Sequence, residues 1–106
     1  MNSVPHSLKN FRSFHVALAF YQECKKLKLT PHLQDQLRRA SESILLTLAE
    51  GSAKPSKKDR ARFYSMALGS FREVQVILSL EDQTDLLARF DHLGGCLYKL
   101  SRSAPS

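Results

Sequence analysis

The sequence predicts an all-α protein, an up-down-up-down bundle of four helices in a single domain over residues 1–106. The composition is ordinary for a globular chain, with 42% hydrophobic and 25% charged residues. Glycine and proline number only four each, and alternating β-branched residues are sparse. Four stretches carry apolar residues at spacings of three and four, and short connections between helices favour antiparallel neighbours.

The first helix is predicted over residues 7–29. It ends before Thr30-Pro31, because a residue that precedes proline avoids the α region. Its apolar stripe is predicted to consist of Phe11, Phe14, Leu18 and Tyr21.

Three further apolar residues of this helix, Val16, Ala19 and Phe20, fall outside that stripe. A helix in a monomeric bundle buries only one face. The surplus therefore predicts an oligomer interface at these three residues and a homo-oligomer as the working form.

The second helix is predicted over residues 32–50, with Gly51 as the residue that stops it. Its stripe is Leu33, Leu37, Ala40, Ile44 and Leu48. The third is predicted over 57–79, because Ser56 and Asp59 have the spacing of a capping box. Its inward residues are Phe63, Ala67, Ser70, Val74 and Ile77.

The fourth helix is predicted over residues 83–101, capped by Asp82 or Thr84. Gly94-Gly95 inside it indicates close packing or a kink. Its stripe is Leu86, Phe90, Leu93, Leu97 and Leu100.

Small residues on the second and third helices predict that these two backbones approach closely. Glycine inside a helix costs about 1 kcal/mol relative to alanine, and close helix contact is the usual compensation. The residues concerned are Ala40, Ser43, Thr47, Ala67, Gly69 and Ser70.

The charge is +6 and unevenly distributed. Residues 1–72 contain 13 Lys and Arg against 5 Asp and Glu, whereas residues 73–106 contain 3 against 5. The excess of positive charge over residues 1–72 predicts a polyanion or an acidic protein as partner.

Cys24 and Cys96 lie far apart and predict free thiols in a reducing compartment. No segment has the length of a signal peptide core or a membrane span, so a cytoplasmic location is expected.

Two groups of basic residues are candidates for nucleic-acid binding. The loop cluster comprises Lys54, Lys57, Lys58, Arg60 and Arg62, and the helix cluster comprises Lys25, Lys26 and Lys28. Lysines at a helix start oppose the helix dipole, so helix stability does not explain the loop cluster, whereas cations suit the helix end where the helix cluster lies. A solvated surface with no partner is the alternative for both.

Arg38 and Arg39 are adjacent, so their side chains point about 100° apart on a helix. Arg39 lies near the predicted contact with the third helix and is expected to form a structural ion pair with Glu50 or Glu73. Arg38 is expected to face solvent and to be free for nucleic-acid binding.

The sequence contains no pattern that indicates catalysis, a metal site or a cofactor. The four histidines, His6, His15, His32 and His92, are scattered without ligand spacing. No glycine-rich phosphate loop and no nucleophile motif is present. We therefore expect a protein that is not an enzyme.

Two segments resemble the signatures of a four-helix bundle family, that of the protein encoded by intervening sequences in bacterial 23S ribosomal RNA genes. The resemblance covers about residues 8–100, with Phe11 and Phe14 where the family's first helix begins. The family usually has Asn where this chain has Thr47. The first segment is Gln36-Leu37-Arg38-Arg39-Ala40, Ser43-Ile44 and Leu48-Ala49-Glu50-Gly51; the second is Phe63, Met66-Ala67, Gly69-Ser70 and Glu73.

The resemblance implies a cytoplasmic, non-catalytic bundle that assembles with itself, often as a five-membered ring. A related branch accompanies the reverse transcriptase of diversity-generating retroelements and binds RNA and that enzyme. Two functions follow as hypotheses. One is binding of structured RNA or an RNA–protein complex through basic surfaces. The other is an adaptor for a reverse transcriptase or another acidic partner, without RNA binding of its own. A purely structural oligomer is a third.

Overall fold

The computed structural model describes residues 4–102, which form five α-helices preceded by a 3-10 turn at His6–Leu8. No strand occurs in this range, so the predicted all-α class is confirmed. The helices are α1 (Arg12–Lys25), α2 (Pro31–Ser52), α3 (Lys57–Leu80), α4 (Thr84–Arg89) and α5 (Asp91–Arg102).

Helices α2 and α3 form the most extensive helix pair, and α5 packs against α3 on another side. The predicted close contact between α2 and α3 is confirmed by a 2.8 Å hydrogen bond between the hydroxyls of Ser43 and Ser70. Ala40 and Ala67 are buried beside it. Gly69 was wrongly placed there, because it is exposed and an added Cβ would meet no atom within 4 Å.

The sequence predicted that Gly51 stops α2, and this is wrong. Gly51 lies inside the helix and is buried. No glycine in residues 4–102 has a positive φ. A Cβ at Gly51 would lie 2.7 Å from Cε1 of Tyr64 and 3.0 Å from Cβ of Phe63. Glycine is therefore required here for the approach of α3, not for a left-handed turn.

Helix α1 is shorter than predicted and buries a different stripe, which consists of Phe14, Ala17, Phe20 and Cys24. Phe20 is 1% exposed and packs against Phe71 and Phe90, with ring centroids 5.5 and 5.0 Å away. The assignment of Phe20 to an oligomer interface is therefore wrong, since its ring belongs to the protomer core. Val16 is half-buried and Ala19 is exposed.

The predicted fourth helix is two helices, which are separated at Phe90. Neither predicted cap is found at the start of α4: Asp82 ends α3 in the left-handed region, at φ 57°, and Thr84 is the first residue of α4 itself. The first residue before α4 is Gln83, which makes no side-chain cap. Of the two predicted alternatives for Gly94-Gly95, close packing holds for Gly94, where an added Cβ would lie 3.0 Å from the ring of Phe71, but not for Gly95, where it would meet no atom within 4 Å.

Two polar side chains in the core, Ser41 and Thr47, return their hydroxyls to their own helix. Ser41 donates to the carbonyl of Leu37 and Thr47 to that of Ser43, each at 2.7 Å. Thr47 thus meets its hydrogen-bonding need without a partner from another helix. No helix within residues 4–102 is long and apolar enough to cross a membrane.

Candidate nucleic-acid interface

The turn between α2 and α3 is held in place by its own backbone and by one arginine of the loop cluster. The hydroxyl of Ser56 accepts a 3.0 Å hydrogen bond from the amide of Asp59, which confirms the predicted start of α3. The guanidinium of Arg60 donates to the carbonyls of Lys54 and Pro55 at 3.0 and 3.1 Å. Arg60 therefore serves mainly to close the turn.

Phe63 anchors two more members of the loop cluster. The ammonium of Lys54 and the guanidinium of Arg62 each lie 4.9 Å from the centre of its ring. Such cation–π contacts contribute about 0.5–1 kcal/mol at exposed sites. They hold both charges beside the turn, at the surface.

Lys57, Lys58 and Arg62 are exposed, and no member of the loop cluster forms an ion pair with a carboxylate in residues 4–102. Asp59 is the one acid in the same stretch. The loop cluster is therefore a concentrated positive surface whose charge is not neutralised within the described protomer. Such a surface suits phosphates.

The sequence predicted an ion pair between Arg39 and Glu50 or Glu73, and this is wrong. The side chain of Arg39 is 74% exposed and pairs with Asp35 on the same helix at 3.2 Å. Glu50 and Glu73 are exposed and form no ion pair with any residue in 4–102. Arg39 therefore faces solvent and forms no ion pair across the contact between α2 and α3.

Arg38 faces solvent as predicted, but its guanidinium is already paired with carboxylates on the same helix. Its guanidinium lies 2.8 Å from Asp35 and 3.4 Å from Glu42. The hydrogen bond to Asp35 and the charge of Glu42 raise the pKa of this arginine. Its charge is largely neutralised, so it is a weaker candidate for phosphate contact than the loop cluster.

The helix cluster is partly neutralised as well. Lys26 pairs with Glu23 at 3.0 Å, and Lys25 lies over the ring of Tyr21 at 5.4 Å. Glu23 also accepts from Arg89 at 3.3 Å. Hydrogen bonds from Lys26 and Arg89 lower the pKa of Glu23, which therefore stays charged at neutral pH. Lys28 is exposed.

A depression of about 450 Å³ lies between the end of α1 and the start of α2. Its floor includes Cys24, and its rim includes Lys25, Asp35 and Arg38. Burial raises the pKa of Cys24 to about 12, so this thiol is not a nucleophile at neutral pH. No group of His, Cys, Asp and Glu in residues 4–102 has the geometry to hold a metal ion.

Two kinds of surface residue differ from what the sequence predicted. Phe63 was expected to face inward but is half-exposed beneath two cations. Val76 and Leu80, one turn apart on α3, are 59% and 66% exposed. A second set of apolar residues at helical spacing on α3, Tyr64, Phe71 and Leu78, takes buried positions. Choosing that set in the sequence would have placed Phe63, Val76 and Leu80 nearer the surface.

A family model described as 23S rRNA-intervening sequence protein matches residues 11–103. Comparison with curated proteins and comparison with solved structures each give no match.

Proposed function

The chain belongs to the family of 23S rRNA-intervening sequence proteins, and from that premise we propose that it is a non-enzymatic protein that binds structured RNA, or an RNA–protein complex, through the loop cluster. In this proposal the long helices form an up-down-up-down bundle, and the bundle assembles with itself, which the exposed apolar side chains of Val76 and Leu80 on α3 support. A ring would present one loop cluster from every subunit.

The observation that carries the proposal is the contrast between the basic surfaces. Arg38, Arg39 and Lys26 each form an ion pair with a carboxylate at 3.4 Å or less. No residue of the loop cluster forms an ion pair with any carboxylate of residues 4–102. Unpaired cations at the surface attract phosphates by releasing condensed counterions, and several copies would add their contacts. The absence of a sequence-reading motif favours recognition of backbone and shape.

The test is fluorescence anisotropy of the pure protein with a structured RNA and with a duplex DNA of equal length, at several salt concentrations. The variant removes Lys57, Lys58 and Arg62, each changed to Ala. Arg60 is kept, because it closes the turn. Each phosphate contact that is lost lowers the slope of log affinity against log salt by about one, so the slope should fall by two or more.

The matched control removes the three lysines of the helix cluster, which changes the net charge equally. This control should keep most of the affinity for RNA. Equal losses in both triple variants, or equal affinity for RNA and DNA, would indicate general attraction to polyanions. No binding at low salt would reject RNA as the ligand and leave an acidic protein, such as a reverse transcriptase, as the partner of the loop cluster.

A further inference from the structure

A small open cleft lies beside the loop cluster, between the N-terminal 3-10 turn and the hairpin of α2 and α3. Its volume is about 300 Å³, at the lower end of the range of roughly 300–1,000 Å³ for ligand clefts. A cleft of this size has room for one ring system. It is lined by His6, Ser7, Asn10, Phe11, Ser52 and Tyr64.

Tyr64 provides the main reason to regard this cleft as a site. The residue is only 8% exposed, and its ring packs against Phe11 at 5.9 Å. Its hydroxyl forms no hydrogen bond within residues 4–102, yet no fully buried polar side-chain atom in that range lacks a partner. The hydroxyl therefore reaches solvent, and Tyr64 lines the cleft. Burial raises the pKa of this phenol, so it remains a hydrogen-bond donor at neutral pH.

Asn10 and Phe11 add the other groups that a nucleobase requires. The amide of Asn10 is exposed and forms no side-chain hydrogen bond with residues 4–102. An amide both donates and accepts, as the edge of a base does. The half-exposed ring of Phe11 offers an apolar face, and unpaired bases stack on aromatic side chains.

The cleft and the loop cluster adjoin along both helices of the hairpin. Ser52 is the last residue of α2, and Lys54 follows two residues later. On α3, Arg60 lies one turn before Tyr64, and its charge acts on the phenol of Tyr64. One strand could thus place its phosphates on the loop cluster and a neighbouring base in the cleft.

We propose that this cleft receives one unpaired nucleobase of an RNA whose phosphates lie on the loop cluster. Tyr64 and Asn10 hydrogen-bond the edge of the base, and Phe11 contacts its face. The inference rests on the proposed function and specifies the class of RNA, which is one with nucleotides free in a loop or bulge. Bases inside an A-form duplex are not available to such a cleft.

The experiment compares a hairpin RNA that has an unpaired loop with a fully paired RNA duplex of equal length. Both are titrated with the full chain and with Tyr64→Phe and Asn10→Ala, which remove single polar groups and leave the ring and the helices in place. We expect the full chain to bind the hairpin more tightly. A hydrogen bond is worth about 1 kcal/mol, so each variant should lose about fivefold on the hairpin and nothing on the duplex.

Changing Lys57, Lys58 and Arg62 to Ala should weaken binding of both RNAs, which separates the two claims. If the hairpin binds but the cleft variants leave its affinity unchanged, the cleft proposal is wrong and RNA binding by the loop cluster stands. If neither RNA binds at low salt, both are wrong. Each variant should unfold at the same urea midpoint as the unchanged chain. A variant that has a lowered midpoint and loses equal affinity for both RNAs would count against the cleft.

A second measurement uses 2-aminopurine as the unpaired base of the hairpin. The chain contains no tryptophan, so protein emission does not obscure this fluorophore. Binding of the full chain should change its emission through contact with Phe11, and Tyr64→Phe with Asn10→Ala should reduce that change. An emission unaffected by bound protein would contradict the proposal.

Discussion

At the scale of single residues, glycines with similar sequence surroundings have opposite roles. Gly51 is buried where α3 crosses α2, and Gly69 is exposed on the outer side of α3. Both lie inside helices, where glycine is unfavourable relative to alanine. Only the neighbour across the helix contact decides whether that cost is compensated.

We therefore expect Gly51→Ala and Gly69→Ala to change stability in opposite directions. The new methyl at position 51 would lie 2.7 Å from the ring of Tyr64, and such overpacking typically costs about 1–3 kcal/mol. At position 69 no atom is near, so alanine should raise the free energy of unfolding by about 0.5–1 kcal/mol. Urea unfolding at one fixed protein concentration measures both.

Gly69→Ala is the control, since it carries the same change of helix propensity without the contact. A stabilised Gly51→Ala variant would show that α2 and α3 can separate at no cost, which would contradict the close approach.

At the scale of elements, the sequence predicted where α3 begins and, to within one residue, where it ends, but not the backbone motif that ends it. Ser56 caps the start of α3 as expected from its spacing to Asp59. At the other end, the amide of Gln83 donates to the carbonyl of Leu78 at 2.8 Å and the amide of Asp82 to that of Ser79 at 3.2 Å. This is a Schellman motif, in which a left-handed residue, usually glycine, follows the helix. Here that residue is Asp82, at φ 57°.

Asp82→Gly should therefore stabilise the protein. The left-handed conformation costs a non-glycine residue about 1–2 kcal/mol, somewhat less for aspartate. We expect a rise of about 1 kcal/mol in the free energy of unfolding, measured in urea. Asp82→Asn is the control, because it removes the unfavourable charge at the helix end and keeps a side chain. If asparagine stabilises as much as glycine, the gain comes from the charge and not from the backbone.

At the scale of the whole molecule, the structure leaves fewer residues on the surface of α1 that was predicted to contact another subunit. Phe20 fills the core with Phe71 and Phe90, so of the three predicted interface residues only Val16 and Ala19 remain near the surface. Val76 and Leu80 on α3 form a separate exposed apolar pair. Both surfaces are candidates for contact between subunits.

We predict that light scattering at micromolar concentration gives a mass that is a multiple of the 12.0 kDa protomer. Ala19→Glu places a charge on the α1 surface and should shift the mass toward the protomer while helix content stays unchanged. Phe20→Ala should instead lower the free energy of unfolding by about 3–5 kcal/mol, because it empties a core position.

A protomer mass for the unchanged chain would contradict self-assembly. An oligomer that survives Ala19→Glu but dissociates with Val76→Lys would place the interface on α3.

Much of the fold and part of the candidate site could be predicted from sequence. The all-α class, the start of α3, the close contact of α2 with α3 and the location of the loop cluster all depend on local spacing and composition, which a sequence displays directly. The family resemblance, now shown over residues 11–103, likewise rests on quoted residues.

Tertiary structure alone decided which residues face one another. The core stripe of α1 includes Ala17 and Cys24, because the partner helices select the face that fits, whereas the sequence favoured the larger side chains. The pairing of Arg38 and Arg39 with Asp35 is different, because it joins residues three and four apart on α2, a spacing that the sequence does display. The cleft at Tyr64 joins residues 6–11 to residues 52–64. Such distant residues meet only when the helices pack, which local pattern does not encode.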